Sequence, residues 1–473
     1  MAAPAQPQQK KTLLMTEGSI WKSILLFSVP LILGNLLQQL YNTADSIIVG
    51  NFLGSNALAA VGSSGSPIYL LIGFSQGVAV GAGVVVSQYL GAKDKKETRI
   101  AVHTSLAIAV ILGLILTVGG IAVSRSLLVW MNTPEEVLGD AVTYMKLYFG
   151  GVLFSVVYNM AAGILNAAGN SRRSVIYLAC ASITNIILDL VLIAGLKMGV
   201  AGAAIATDIS QLVSCVLSLR FLMKVDADYK VELSAIRPDQ RMTSRIIRIG
   251  LPTGIQNMVI SFSNVLVQSS VNSYGAAAMA GFAAYMKIDG FNILPVTSFT
   301  MAITTYVGQN LGAGMKPRAR KGAIFGIAAA AIIAELIGIA TYLAAPWLVR
   351  LFSRTPEVIE LGVLETRIIC LFYCLLAFSH AIASVCRGAG KAFVPMSIML
   401  GVWCVFRILY ITVMMQWRHE IVYVYWAYPI TWAISSVIYL FYFLLSNWQD
   451  GFDPQPEGEG HKHHHHFHLG HHK

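Results

Sequence analysis

The sequence predicts an all-α integral membrane protein, with twelve transmembrane helices in two six-helix lobes related by a pseudo-twofold axis along the membrane normal. Composition is the first reason: 56% of the 473 residues are hydrophobic and 12% are charged, whereas soluble proteins carry about 25% charged residues. The second is that the apolar residues fall in runs of about twenty, the length of a membrane-spanning helix. These runs lack the alternation of a transmembrane β-strand. The third is an internal repeat.

Twelve spans are expected along the chain, flanked by two polar tails. The spans cover approximately 20–48, 57–88, 102–123, 141–163, 173–195, 200–223, 246–271, 277–307, 323–345, 362–386, 393–415 and 423–446. Residues 1–15 form a polar tail with no apolar core of a cleavable signal peptide. Residues 448–473 form a His-rich tail, which is either a native metal-binding segment or an added one.

The internal repeat organises the predicted fold. PLILGNLLQQLYNTADSIIVG, from Pro30, returns as PTGIQNMVISFSNVLVQSSVN from Pro252, and SQYLGA at 87–92 returns as GQNLGA at 308–313. Each copy holds an even number of spans, so both copies have the same orientation and a cleft separates them. The predicted lobes and the polar linker between them cover 16–223, 246–447 and 224–245.

Charge predicts the orientation of the protein in the membrane. Lys and Arg concentrate in the loops on one side, for example at Lys93, Lys95 and Lys96. The positive-inside rule then places both termini in the cytoplasm. The net charge of +10 therefore reports topology, and no folded basic face for nucleic acid is available.

Asp45 is the most informative single residue. It ends a polar stripe on the first helix, its repeat-equivalent is the uncharged Val267, and Tyr41 lies beside the stripe. A carboxylate at membrane depth is costly and is a functional hypothesis by default, although interhelical hydrogen bonding is the alternative for the amides of the stripe. The stripe at helical spacing is Asn35, Gln38, Asn42 and Asp45.

The fifth and sixth spans add further oxygen-bearing side chains to the same lobe. Asn185 and Asp189 are four residues apart and share one helix face. Thr207 and Asp208 are adjacent, so only one of them points directly at a shared cavity. Two coupled carboxyl groups suit proton transfer, and the same oxygens suit a hard cation such as Na⁺. The sequence leaves both coupling ions open, and no other cofactor or metal is expected.

The second lobe has an uncharged stripe that suits hydrogen bonding to varied ligands. Asn257, Asn264 and Gln268, with Tyr41 of the first lobe, are the candidate substrate-cavity residues. In the first helix, Pro30 is a candidate hinge, because proline weakens a helix, and a static kink is the alternative. No P-loop is present, and GVAVGAG at 77–83 indicates close helix packing rather than a dinucleotide fold. An enzymatic activity is therefore not expected.

The chain resembles the multidrug and toxic compound extrusion (MATE) family of secondary transporters. The resemblance covers about 15–447 and depends jointly on FSVPLILGNLLQQLYNTADSIIVGNFLG, the SQYLGA/GQNLGA pair, NIILD and the AG turns at 168–169 and 389–390. It implies twelve helices in two lobes and cation-driven export of amphipathic, often cationic compounds. The residues to which it gives family roles are Asp45, Pro30, Asn185, Asp189, Thr207, Tyr144 and Asn159. One branch of the family places acidic residues on the seventh and tenth helices for a sodium site in the second lobe. Here the seventh span has none and the tenth has only Glu365 at its edge, so the resemblance favours a coupling site in the first lobe.

The predicted function is an antiporter of a bacterial inner membrane that exports amphipathic, cationic drugs or metabolites in exchange for H⁺ or Na⁺ by alternating access. We expect coupling at Asp45, Asp189, Asn185 and Thr207, supported by Tyr144, Asn159, Asn42 and Gln38. The partners are a small-molecule substrate and the bilayer, and a monomer is expected. A flippase for lipid-linked precursors is the alternative within transport, and Lys146, Lys287 and Arg407 would then face the central cavity. An ion channel or receptor is the alternative from another class.

Overall fold

The structure, a computed structural model, describes residues 14–130 and 133–452 and is helical almost throughout these ranges, with no strand in them. The first half contains α1 (Ile20–Leu53), α2 (Ser55–Gly91), α3 (Lys95–Trp130), α4 (Glu135–Gly150), α5 (Val152–Ala167), α6 (Ser171–Asp189) and α7 (Val200–Lys224). A π-helical turn, Leu190–Gly195, extends α6, and α4 and α5 meet at a 50° bend. The His-rich tail beyond residue 452 lies outside the described residues, as do most of the N-terminal tail and residues 131–132.

The second half repeats this arrangement. It contains α8 (Gln240–Asn272), α9 (Ala276–Asn292), α10 (Leu294–Gly312), α11 (Lys316–Arg350), α12 (Pro356–Cys370), α13 (Tyr373–Gly388), α14 (Phe393–Ile398), α15 (Arg407–Trp417), α16 (Ile421–Tyr425) and α17 (Ala427–Leu445). A π-helical segment, Met399–Phe406, joins α14 to α15, and α12 and α13 meet at a 51° bend.

Counting each bent or jointed pair once, the described residues form twelve helical segments. Eight are long and apolar enough to cross a membrane, and the two bent pairs raise the number to ten. The other two segments are α8 and the pair α9–α10. Polar side chains on α8, such as Asn257 and Asn264, lower its mean hydropathy. The predicted all-α membrane fold is confirmed.

Equivalent turns close the two halves. Gly169 and Gly390, at matching positions of the repeat, both have positive φ, 82° and 84°. This left-handed conformation ends α5 and α13, and glycine adopts it without the steric cost of a side chain. The two AG turns of the sequence are therefore helix stops, and they bring α6 and α14 back toward their own halves.

A glycine seam joins the halves between α2 and α8. A Cβ atom added at Gly77 would lie 2.4 Å from Cα of Gly254, and one added at Gly81 would lie 2.3 Å from Cα of Gly250. Only glycine lets two backbones approach so closely. The close packing that GVAVGAG indicated is therefore packing of one half against the other.

We call the end of the protein that carries Lys93 and Lys316 the basic end. Two glutamine side chains join the halves there, and we call this contact the glutamine latch. Gln88 of α2 donates from Nε2 to the carbonyl of Gly388, 3.1 Å away. Gln309 of α10 donates to the carbonyl of Ala167, at 2.7 Å. The two bonds are equivalent under the repeat, and each one crosses between the halves.

The N-terminal segment reinforces the latch. The amide of Met15 donates to Oε1 of Gln309 at 2.7 Å, and the Met15 carbonyl accepts from Asn310 and Arg318 at 3.2 and 3.1 Å. Met15 and the neighbouring Thr16 are buried. The start of the first half is thus fastened to the second half, and the basic end is closed in this conformation.

Candidate ion-coupling site and substrate cavity

A cluster of polar side chains lies inside the first half, where α1, α4, α6 and α7 meet. The carboxyl groups of Asp45 and Asp189 lie within hydrogen-bonding reach of each other. Oδ1 of Asp45 and both oxygens of Asp189 are buried and receive no hydrogen bond from the described residues. Carboxylates only accept, so the two groups bond to each other only when one carries a proton. The cluster therefore offers oxygens for a proton or a cation.

Asn185 is the centre of the hydrogen bonds around this pair. Its Nδ2 faces the hydroxyl of Tyr41, Oγ of Ser210 at 3.2 Å and Oγ1 of Thr207 at 3.4 Å. Because Nδ2 faces these three hydroxyls, Oδ1 of the amide is buried and finds no donor among the residues that the structure describes. Tyr144 of α4 stands beside both carboxyl groups. The amide thus adds one more unsatisfied oxygen to those of the aspartates.

The structure resolves the ambiguity between the two neighbours on α7. Thr207 points into the cluster, whereas Asp208 lies against the bend between α4 and α5. A Cβ atom added at Gly151 would come within 2.3 Å of Cγ of Asp208. The glycine at the bend therefore makes room for the carboxyl group of Asp208.

A large cavity of about 530 Å³ lies between the two halves, on the cluster's side of the glutamine latch. Its lining includes eight Asn or Gln side chains and three Tyr side chains from both halves. The volume falls in the range of pockets that hold drug-sized molecules, roughly 300–1,000 Å³. At its walls Asn35 donates to Ser298 at 3.2 Å, and Asn257 donates to the Gly73 carbonyl at 3.1 Å.

The remaining candidate residues occupy several places. Gln38, Asn159 and Asn257 line the large cavity. Asn264 lines a smaller cavity of about 60 Å³ inside the second half. Tyr41, expected in the substrate cavity, belongs instead to the carboxylate cluster through Asn185. Asn42 and Gln268 are exposed, and Pro30 lies inside the continuous helix α1.

The second half holds its own carboxyl groups, with different surroundings. Asp289 accepts hydrogen bonds from Tyr373 and Tyr285, at 3.0 and 3.4 Å. Glu365, which the sequence placed only at the edge of a span, is fully buried, and neither of its oxygens has a donor among the described residues. Arg407 borders the smaller cavity and donates to Thr431 and Ser263.

Sequence reasoning did not single out three polar residues that the structure brings to these sites. Ser210 lies one turn after Thr207, so the helical spacing contained a signal for it. Gln88 and Gln309 stood inside the matched SQYLGA and GQNLGA motifs, and their equivalence was the available clue to a shared role. Pairing across the halves depends on tertiary packing and is not written in either motif.

Comparison with known proteins gives the family. The MatE family model matches this chain twice, over residues 30–191 and 252–413. The chain belongs to the MATE family. The two matches begin at Pro30 and Pro252, the residues with which the internal repeat begins, so the duplication is confirmed. The protein is a multi-pass membrane transporter of this family.

Relatives and solved structures agree with this assignment. "Probable multidrug resistance protein YpnP" of Bacillus subtilis is 30% identical over 79% of this chain and 84% of its own length. "Probable multidrug resistance protein YoeA" of the same organism is 28% identical over 92% and 95%. A MOP superfamily transporter from Pyrococcus furiosus has the same fold, with a TM-score of 0.87 at 24% identity, over 93% of this chain and 98% of that one.

Proposed function

We propose that this MATE protein is a secondary active antiporter that exports amphipathic small molecules in exchange for H⁺ or Na⁺. It acts as a monomer, since a single chain supplies both walls of the cavity and the whole cluster. We place it in the bacterial inner membrane with both termini in the cytoplasm. The observation that carries the proposal is that Oδ1 of Asp45 and both carboxylate oxygens of Asp189 lack donors within the described part of the chain. Buried polar atoms are normally satisfied, so these oxygens mark a place that a transported ion fills.

The chemistry of the cluster suits either ion. A proton placed between Asp45 and Asp189 makes the hydrogen bond that their geometry allows. A sodium ion needs several oxygen ligands, and the carboxylates can be joined by Oδ1 of Asn185 and the hydroxyl of Thr207. Asp289 is different, because two tyrosines already donate to it. Glu365 also lacks donors among the described residues, but the carboxyl group beside it is that of Asp289, which is already hydrogen-bonded. We therefore propose that coupling is in the first half.

The closed basic end supplies the conformational part of the mechanism. If the basic end is cytoplasmic, this conformation shields the cavity from the cytoplasm, and export requires the glutamine latch to open and close. An ion entering a negative interior gains about 2.3 kcal/mol per charge per 100 mV. It drives the cycle only by binding one arrangement of the halves better than the other.

The flippase alternative receives little support. It needs a strongly cationic central cavity, yet Lys146 and Lys287 have exposed side chains and neither lines the large cavity. Arg407 borders only the smaller cavity.

Reconstitution into liposomes tests the proposal. A pH gradient and a Na⁺ gradient are imposed separately, and movement of a fluorescent amphipathic probe is followed. The antiporter predicts probe movement against its gradient in response to one of the two ions. A steady ionic conductance without exchange would contradict it and would favour a channel.

A further inference from the structure

The large cavity is electrostatically one-sided. None of the described residues lining it is Asp or Glu. Arg387 is its one permanently charged side chain among those residues, and His380, seven positions earlier on the same face of α13, also lines it. The carboxylate cluster of the first half contributes nothing to this lining. A cationic ligand in the cavity would therefore meet a positive charge with no carboxylate to balance it.

The guanidinium of Arg387 has donor capacity to spare. Its Nη1 donates to Oε1 of Gln256 at 3.4 Å, a long contact with a neutral acceptor. Its Nε is buried and has no hydrogen-bond partner, and no ion pair involves Arg387 in the described part of the chain. Leaving a buried charged donor unsatisfied is costly. A bound carboxylate, sulfonate or phosphate would satisfy it, because the planar fork of arginine matches such groups.

Comparison of the two repeats shows that only the second-half wall of the large cavity carries this positive charge among the described residues. The residue equivalent to Arg387 in the first half is Asn166, which lines the same cavity and accepts from Ser174 at 3.0 Å. The two lobes thus present an amide on one side and a cation on the other. Arg387 also precedes Gly388, whose carbonyl accepts the Gln88 bond of the glutamine latch. An anion at Arg387 would lie at the floor of the cavity, next to that latch.

We infer that this transporter binds amphipathic substrates through an anionic group, which Arg387 and Gln256 hold at the floor of the cavity. This inference rests on the proposed export function and names the charge class of its substrate. It differs from the sequence-based expectation of cationic substrates. The aromatic and amide side chains of the walls accommodate the rest of the molecule, with Tyr69, Tyr148 and Tyr158 supplying ring surface.

A structural role for Arg387 is the competing explanation. It lies in the last turn of α13, where a basic residue interacts favourably with the free carbonyls of the helix end. If the role were structural, Arg387→Gln would destabilise the fold and would weaken the binding of anionic and cationic ligands equally. The inference predicts a loss confined to anions.

Equilibrium binding in nanodiscs separates the two explanations. Fluorescence polarisation is measured with 6-carboxyfluorescein, an anion, and rhodamine 6G, a cation built on the same xanthene ring system. The wild type is expected to prefer the anion. Arg387→Gln is expected to weaken anion binding roughly ten- to a hundredfold, the size of a lost charge-assisted hydrogen bond, and to leave cation binding unchanged or improved. Arg387→Lys keeps the charge without the planar fork, so its affinity for the anion should lie between those of the wild type and Arg387→Gln.

Arg350→Gln is the matched control, because Arg350 is exposed at the end of α11 and its loss changes the net charge equally. Wild-type preference for rhodamine 6G, no binding of the anion, or an equal loss of both probes in Arg387→Gln overturns the inference. The assay applies no ion gradient, so these outcomes are independent of whether the carboxylate cluster couples transport.

Discussion

Gln88 and Gln309 occupy equivalent positions of the two repeats, and each donates a hydrogen bond to a backbone carbonyl of the opposite half. Behind each side chain the helices touch at glycine. A Cβ atom added at Gly91 would lie 1.9 Å from the Gln309 carbonyl oxygen, and one at Gly312 would lie 1.9 Å from that of Gln88. At the basic end the halves therefore meet through two equivalent glutamine–carbonyl bonds, alongside the ion pair between Arg241 of α8 and Glu97 of α3.

The glutamine latch should set the balance between closed and open basic ends. The double variant Gln88→Ala, Gln309→Ala removes two hydrogen bonds between the halves, together ~1–3 kcal/mol, and also releases Met15. We expect the open population to grow about five- to a hundredfold. Spin labels at Lys95 and Lys321, in a cysteine-free background, report this as longer distances at the basic end. Gln268→Ala, an exposed glutamine on α8, is the control, and an unchanged distance distribution in the double variant would contradict a gating role.

The glycine seam should be intolerant of even one methyl group. In Gly81→Ala the new Cβ would meet the backbone of Gly250 at 2.3 Å, and a backbone cannot move aside as a flexible side chain can. We expect a loss of about 1–3 kcal/mol of stability, typical of overpacking, seen as a lower melting temperature in detergent. Gly119→Ala is the control, since nothing lies within 4 Å of its added Cβ. Equal melting temperatures would show that the seam is looser than described.

Asn185 and Asn42 should behave differently, although both belong to the predicted site. Asn185 faces three hydroxyls beside the carboxyl pair, whereas Asn42 is exposed. Asn185→Ala is expected to lower ion-driven export at least tenfold, because the three hydroxyls beside the carboxyl pair lose their common partner. Asn42→Ala should stay near the wild-type rate. Initial rates of probe export from liposomes measure both, and equal effects would remove Asn185 from the centre of the site.

The sequence predicted the fold and singled out Asp45, Asn185 and Asp189 of the carboxylate cluster for identifiable reasons. Helical spacing placed Asn185 and Asp189 on one face, and the cost of a charge in lipid singled out Asp45. Helical spacing is local and the cost of a charge follows from the membrane environment, so both can be read from the sequence without knowledge of the tertiary packing. The repeat then supplied the two-lobed arrangement, because equivalent segments of equal orientation can only pack side by side.

Other features depended on packing that spacing does not specify. The sequence left Thr207 and Asp208 undecided, since the rotation of α7 is set by its neighbours and by the room at Gly151. Tyr41 was expected at the cavity but reaches Asn185 instead. The one-sided charge of the cavity could not be predicted from the sequence, because the residues that line the cavity opposite Arg387 lie far from it in sequence.

The most direct test of ion coupling is export by Asp45→Asn in liposomes. Its control is Asp140→Asn, which removes an exposed carboxylate from the same half. We expect Asp45→Asn to lose ion-driven export, down to the rate seen without a gradient, and to keep its melting temperature and substrate binding, because the amide retains the shape but not the titratable charge. Asp140→Asn should export normally. Wild-type export by Asp45→Asn under the same gradient would contradict the account.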